Sequence, residues 1–164
     1  MTPYSFSIKS VLIFGLTVLL ISAHGFSESG LLAQTESIRP DGKLDFVGFD
    51  ESRIVSIVIE IAETKKARRK GLMGRPSLNM ANGMLFIYEQ EALRSFWMHN
   101  TVISLDMIFV DNKRRIIHIA ESTRPMSKQE YRSQMPAQYI VEVPAGFVKF
   151  FNIQKGMRIR WQRN

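Results

Sequence analysis

Leu105-Asp106-Met107-Ile108-Phe109-Val110, the turn Asp111-Asn112-Lys113-Arg114, and the return from Arg115 to Ala120 together read as a β-hairpin. Two apolar, β-branched or aromatic runs flank a polar turn, which is the composition of paired strands. Asp106 is the exception, a carboxylate near the start of an apolar strand. Just upstream, Arg94-Ser95-Phe96-Trp97-Met98 reads as a strand that leads into the polar packet His99-Asn100-Thr101. Most of the chain's candidate polar chemistry lies in this region.

Working outward, the pattern stays rich in strands. Ile54 to Ala62 is nearly continuously apolar, as a buried strand is. Thr64 is placed to cap a short helix that carries Lys65, Lys66, Arg68, Arg69 and Lys70 and ends at Gly71 or Gly74. Gly71-Leu72-Met73-Gly74-Arg75-Pro76 is a turn, and it lacks the Lys-Ser/Thr end of a phosphate loop. Gly83 to Tyr88 is a strand, and Glu89-Gln90-Glu91 reads as a polar turn. Beyond the hairpin, residues 121–136 form a long loop with prolines near its end and beginning, of the kind that serves a site. Gln138 to Val143 is a strand. Phe147 to Ile153 is a short helix that aims Phe147, Phe150 and Phe151 at the core. Met157 to Trp161 closes the domain, and Leu44 with Phe46 suggests a short edge strand near its start. About seven strands and two short helices predict a β-rich α+β domain with a small closed or partly closed β-barrel-like sheet.

Residues 1–25 read as a signal peptide: Lys9 precedes the uncharged run Val11–Ile21, and Ala23-His24-Gly25 offers small residues for cleavage. The run is too short for an ordinary membrane span, although an uncleaved anchor is the alternative reading. The protein is therefore expected to be exported, periplasmic or secreted, touching the membrane only through that segment. Residues 26–43 read as a linker, and 44–164 as a single globular domain. The absence of cysteine excludes disulfides, thiolate metal sites and cysteine nucleophiles. A net charge of +7 suits acidic neighbours, but no nucleic-acid motif accompanies it, so no nucleic-acid partner is expected. The expected partner is an unidentified small molecule or protein, and the expected state is a monomer.

Several motifs fall in one order: Gly71-Leu72-Met73-Gly74-Arg75, Gly83-Met84-Leu85-Phe86, Phe96-Trp97-Met98-His99-Asn100-Thr101, Leu105-Asp106-Met107-Ile108-Phe109, and Val143-Pro144-Ala145-Gly146 before Gly156. Over about residues 54–162 the chain resembles the prokaryotic domain of unknown function 192 family. The resemblance implies a compact β-rich domain, often exported, with no established activity or cofactor to carry over. Members of the family commonly carry lysine where His99 stands and proline where Ser104 stands.

The candidate ligand-binding residues are Trp97, His99, Asn100, Thr101 and Asp106. On an extended segment Trp97, His99 and Thr101 share one face, while Met98 and Asn100 share the other. Asp106 could return to meet either set. One reading is a ligand pocket floored by Trp97 and gated by the 121–136 loop. A second is acid–base chemistry by a His99–Asp106 couple. A third is structural, with Asn100 and Thr101 in a turn and Asp106 holding backbone N–H groups or pairing with Arg75 or Arg94. The basic run Lys65 to Lys70 could meet an anionic surface, or simply be a solvated helix face. No catalytic residue and no cofactor is indicated. Nor is a metal site, because His99 and His118 stand apart and the methionines form no cluster.

Overall fold

The computed structural model describes residues 38–164. The expected signal and most of the linker lie outside those residues. In chain order the elements are β1 (Gly42–Val47), β2 (Arg53–Ala62), α1 (Lys65–Lys70), β3 (Asn82–Ala92) and β4 (Ser95–Phe96). There follow β5 (Leu105–Val110), β6 (Ile116–Ala120), β7 (Tyr131–Arg132), β8 (Ala137–Pro144), α2 (Phe147–Phe150) and β9 (Arg158–Arg163).

A 7-stranded mixed sheet carries the order β6-β5-β8-β3-β2-β1-β9. Only β2 and β3 run parallel, and a parallel pair needs a crossover, which α1 and residues 71–81 supply. The sheet is not a closed barrel, which corrects that part of the expectation. Its two edge strands approach each other at one isolated bridge, Arg115 to Arg158. Around that bridge Ile116 N–H donates to Met157 at 2.8 Å and Ile159 N–H donates to Arg114 at 3.0 Å. Gly156 N–H also donates to the Ile116 carbonyl at 2.8 Å, but no continuous ladder joins the two edges among the described residues, so the sheet curls without closing.

Alternation along the strands sorts the apolar residues into two cores. Phe46, Ile59, Leu85, Ile108, Val141 and Phe147 belong to the core on the α2 side. Phe86, Met98, Leu105, Met107, Phe109 and Ile140 belong to the core on the other face, which also takes in Leu72 beyond α1. β5 is buried at every position because both of its faces are covered. This is why it reads as a continuous apolar run rather than an alternating one.

Several expected boundaries move. Glu89-Gln90-Glu91 is not a turn: β3 runs through it to Ala92. The strand expected over 94–98 shrinks to Ser95–Phe96, which pairs with β7 from within the long loop. The leading strand β1 is no edge, since it lies between β2 and β9. The second helix ends at Phe150, whose ring is 75% exposed rather than buried. Thr64 caps α1 as expected, its hydroxyl accepting from Ala67 N–H at 3.1 Å.

Asp106 lies on the α2 side of β5 and is fully buried. Its carboxylate accepts from Ser122 N–H at 2.8 Å and from Val148 N–H at 3.0 Å. It thus ties β5 to the end of β6 and to α2. Removing the carboxylate leaves both donors without a partner, at a cost of about 3 kcal/mol. Asp106→Ala should therefore lower the urea midpoint with an unchanged slope, while His99→Ala shifts stability by less than about 1 kcal/mol. Equal effects of the two substitutions would contradict this assignment.

Candidate functional site

Residues 97–101 do not continue as a strand. Thr101 N–H donates to the Met98 carbonyl at 3.1 Å, and Asn100 adopts φ 56°, a left-handed conformation that asparagine tolerates. This turn breaks the expected alternation. Met98 and Thr101 both point inward and are buried, while Trp97 is 54% exposed and Asn100 is exposed. His99 lies beside Trp97, with ring centroids 5.5 Å apart. The turn is held from two sides. Gly74 N–H donates to Asn100 O at 2.8 Å, and Met126 N–H donates to Thr101 O at 2.9 Å.

The structure therefore divides the residues singled out from the sequence. Trp97 and Thr101 line a cleft, while His99, Asn100 and Asp106 do not. The His99–Asp106 couple does not form: β5 presents Asp106 to the core that contains α2, whereas Met98 anchors the His99 turn on the opposite core. Nor does Asp106 pair with Arg75 or Arg94. Arg75 forms a buried ion pair with Glu60 at 2.6 Å, and Arg94 donates to the Ala137 carbonyl at 3.1 Å.

The cleft has a volume of about 120 Å³ and lies between β3, β8, the 95–101 segment and the end of α1. Phe86, Phe96 and Leu72 wall it, and Trp97 stands at its rim. Gly71 is required here. It has φ 45°, and a Cβ would lie 3.3 Å from the Phe86 ring, so a larger residue would strain the turn and press on the wall. Glu142 and Thr101 supply the polar groups inside. The Thr101 hydroxyl has only a 3.5 Å contact to the His99 carbonyl, too long for a good O–H···O bond.

Glu142 was not singled out from the sequence. The available signal was an acid inside the apolar run Ile140-Val141-Glu142-Val143, the same signal that drew attention to Asp106. Glu142 is 5% exposed. Among the described residues no donor or cation stabilises its carboxyl group, and burial alone pushes it up to about 8. Among the described residues no fully enclosed side-chain oxygen lacks a partner, so the Glu142 oxygens open on the cleft. At neutral pH this residue is a neutral acid with one O–H to donate. Tyr88, also on the cleft, is raised by burial, against the opposing charges of Arg94 and Arg68. Among the described residues no three histidine, aspartate or glutamate side chains cluster to hold a metal ion.

Glu142 makes stability depend on pH. The unfolded chain loses this proton near 4.5, and the folded chain loses it near about 8. Between those values the folded state holds the extra proton. The contribution of Glu142 is therefore complete below 4.5, falls as pH rises to about 8, and is flat above that. His118, lowered by burial and by Lys155, works in the opposite direction at the lower end of this window. The readout is therefore the difference between two proteins. Urea unfolding at about pH 5 and about pH 9 should show wild type losing a few kcal/mol more than Glu142→Gln across that interval. Parallel pH profiles would refute the neutral-acid assignment.

The family model of DUF192, "Uncharacterized ACR", matches residues 48–161. A UPF0127 protein of Thermococcus sibiricus is 31% identical over 104 residues, 63% of this chain and 66% of its own length. The chain thus spans just under two thirds of that relative. Among solved structures, a Sinorhizobium meliloti protein provisionally described as a transcription regulator aligns with TM-score 0.72 and 27% identity, over 76% of this chain and 96% of its own. A protein of unknown function from Novosphingobium aromaticivorans aligns with TM-score 0.71 and 29% identity, over 76% and 91%. With most of the described domain inside the family match, the chain belongs to the DUF192 family.

Proposed function

We propose that this protein is a binding module that takes a small ligand into the cleft above Glu142. The observation that carries this reading is the carboxyl of Glu142, buried, neutral and unpartnered at the base of an aromatic-walled cleft. The Glu142 oxygens open on the cleft, where solvent can reach them. A ligand acceptor placed against the Glu142 O–H would replace that solvent contact. The Thr101 hydroxyl offers a second polar contact, and Phe96 and Trp97 offer ring faces. A cavity of roughly 150 Å³ accommodates benzene, so a cleft of about 120 Å³ suits a ligand, or a ligand group, the size of one ring. This moves the binding site expected from the sequence away from His99, Asn100 and Asp106 and onto Trp97, Thr101 and Glu142. Export through the Val11–Ile21 segment remains part of the proposal and would place the ligand outside the cytoplasm.

A ligand-observed NMR screen of one-ring compounds tests this reading. Hits should weaken by about tenfold in Trp97→Ala, while stability changes by less than about 1 kcal/mol because the ring is half exposed. Hits should also fade as pH rises through about 8, when Glu142 loses its donor, and Glu142→Gln should remove that step. Tyr88 also titrates on the cleft, with Arg68, Arg69 and Lys70 at its mouth, and neither substitution removes them. An empty screen, or hits indifferent to both substitutions, would sink the proposal.

A further inference from the structure

The ligand of this cleft has a definable charge. Arg68, Arg69 and Lys70 line its mouth beside Gly71. Among the described residues none of the three forms an ion pair, although acidic partners hold Arg39, Arg75, Arg132, Arg158, Arg160 and Arg163. The Arg68 guanidinium lies over the Tyr88 ring, 4.5 Å from its centroid, and Arg94 lies 3.7 Å from the same centroid. Two guanidinium groups thus flank one ring with no carboxylate between them. Among the described residues the only aspartate or glutamate lining the cleft is Glu142, whose carboxyl burial pushes up to about 8. Among the described residues no ion pair joins Glu142 to the mouth cations, and burial is what raises its carboxyl.

We infer that the ligand is a small organic anion, a carboxylate or a phosphate monoester on a single ring, with its charge at the Arg68–Lys70 mouth and an acceptor on the far side of the ring facing Glu142. This inference rests on the cleft being the ligand site. It also assigns a role to the basic run of α1, whose residues Arg69 and Lys70 are exposed and take no part in packing. Low-dielectric walls around a one-signed mouth concentrate the field on an entering anion.

Four probes of the same size separate the possibilities: 4-hydroxybenzoate, 4-hydroxyphenyl phosphate, neutral 4-hydroxybenzyl alcohol and cationic tyramine. Each is titrated against the purified protein by ligand-observed NMR at low salt and again at high salt. The two anions should bind about tenfold or more tighter than the alcohol, tyramine should bind weakest, and high salt should erode the preference. The tighter anion identifies the head group. The Arg69→Gln/Lys70→Gln double substitution should weaken the anions about fivefold or more and leave the alcohol unchanged. An alcohol that binds as well as the anions would overturn the charge inference and leave the cleft standing. So would an anion preference untouched by the double substitution. If none of the four binds at millimolar concentration, the cleft reading falls and this inference falls with it.

Discussion

The register between β5 and β8 sets Asp106 opposite Val143 and Met107 opposite Glu142. One residue of offset places the two acids on opposite faces of the same pair of strands, and both faces are buried. A buried carboxyl must be hydrogen-bonded or give up its charge. Asp106 meets this demand inside the protein, with backbone donors from Ser122 and Val148. Glu142 does not, and it opens instead on a cleft. The same constraint yields a structural clamp on one side and an unfinished polar site on the other.

The cleft exists because a short two-stranded sheet and irregular segments, rather than a broad second sheet, cover that second face. The β4–β7 pair, the turn over Met98–Thr101 and the glycine turn after α1 lie across Phe86, Met107 and Ile140. Hydrogen bonds from Gly74 to Asn100, from Met126 to Thr101 and from Met98 to Ser127 join these segments to one another. Small changes of backbone direction at Gly71 and Asn100 leave a gap between the cover and the sheet. Residues 121–136 help to build that cover. Thr123 binds both the N–H and the carbonyl of Leu105, which makes this segment a brace rather than a free loop.

His99 and Ser104, the two positions where the resemblance leads one to expect lysine and proline, both lie away from the cleft lining. His99 packs beside Trp97 at the surface. The Ser104 hydroxyl donates to the Thr123 carbonyl at 2.7 Å and helps to fasten the brace to β5. Neither residue touches Glu142.

Much of the fold was legible because local pattern and burial agree. The apolar runs at 54–62, 105–110 and 138–143 could hardly be anything other than buried strands, and Thr64 and Gly71 mark the ends of α1. Glu89-Gln90-Glu91 misled because they fall where the pairing of β3 with β8 is irregular, between Ile87 opposite Tyr139 and Ala92 opposite Ala137, so the strand carries charges there without ending. Of the residues the sequence offers as ligand contacts, Trp97 and Thr101 line the cleft. Asp106 and Glu142 carry the same mark in the sequence, an acid in an apolar strand. The sequence by itself determined which segments become strands, which residues they bury and that acids would be trapped among them. Only the tertiary structure decided which acid would be answered by backbone donors and which would face a cleft. That outcome depends on strand register and on what covers each face, and both come from residues far apart in the chain.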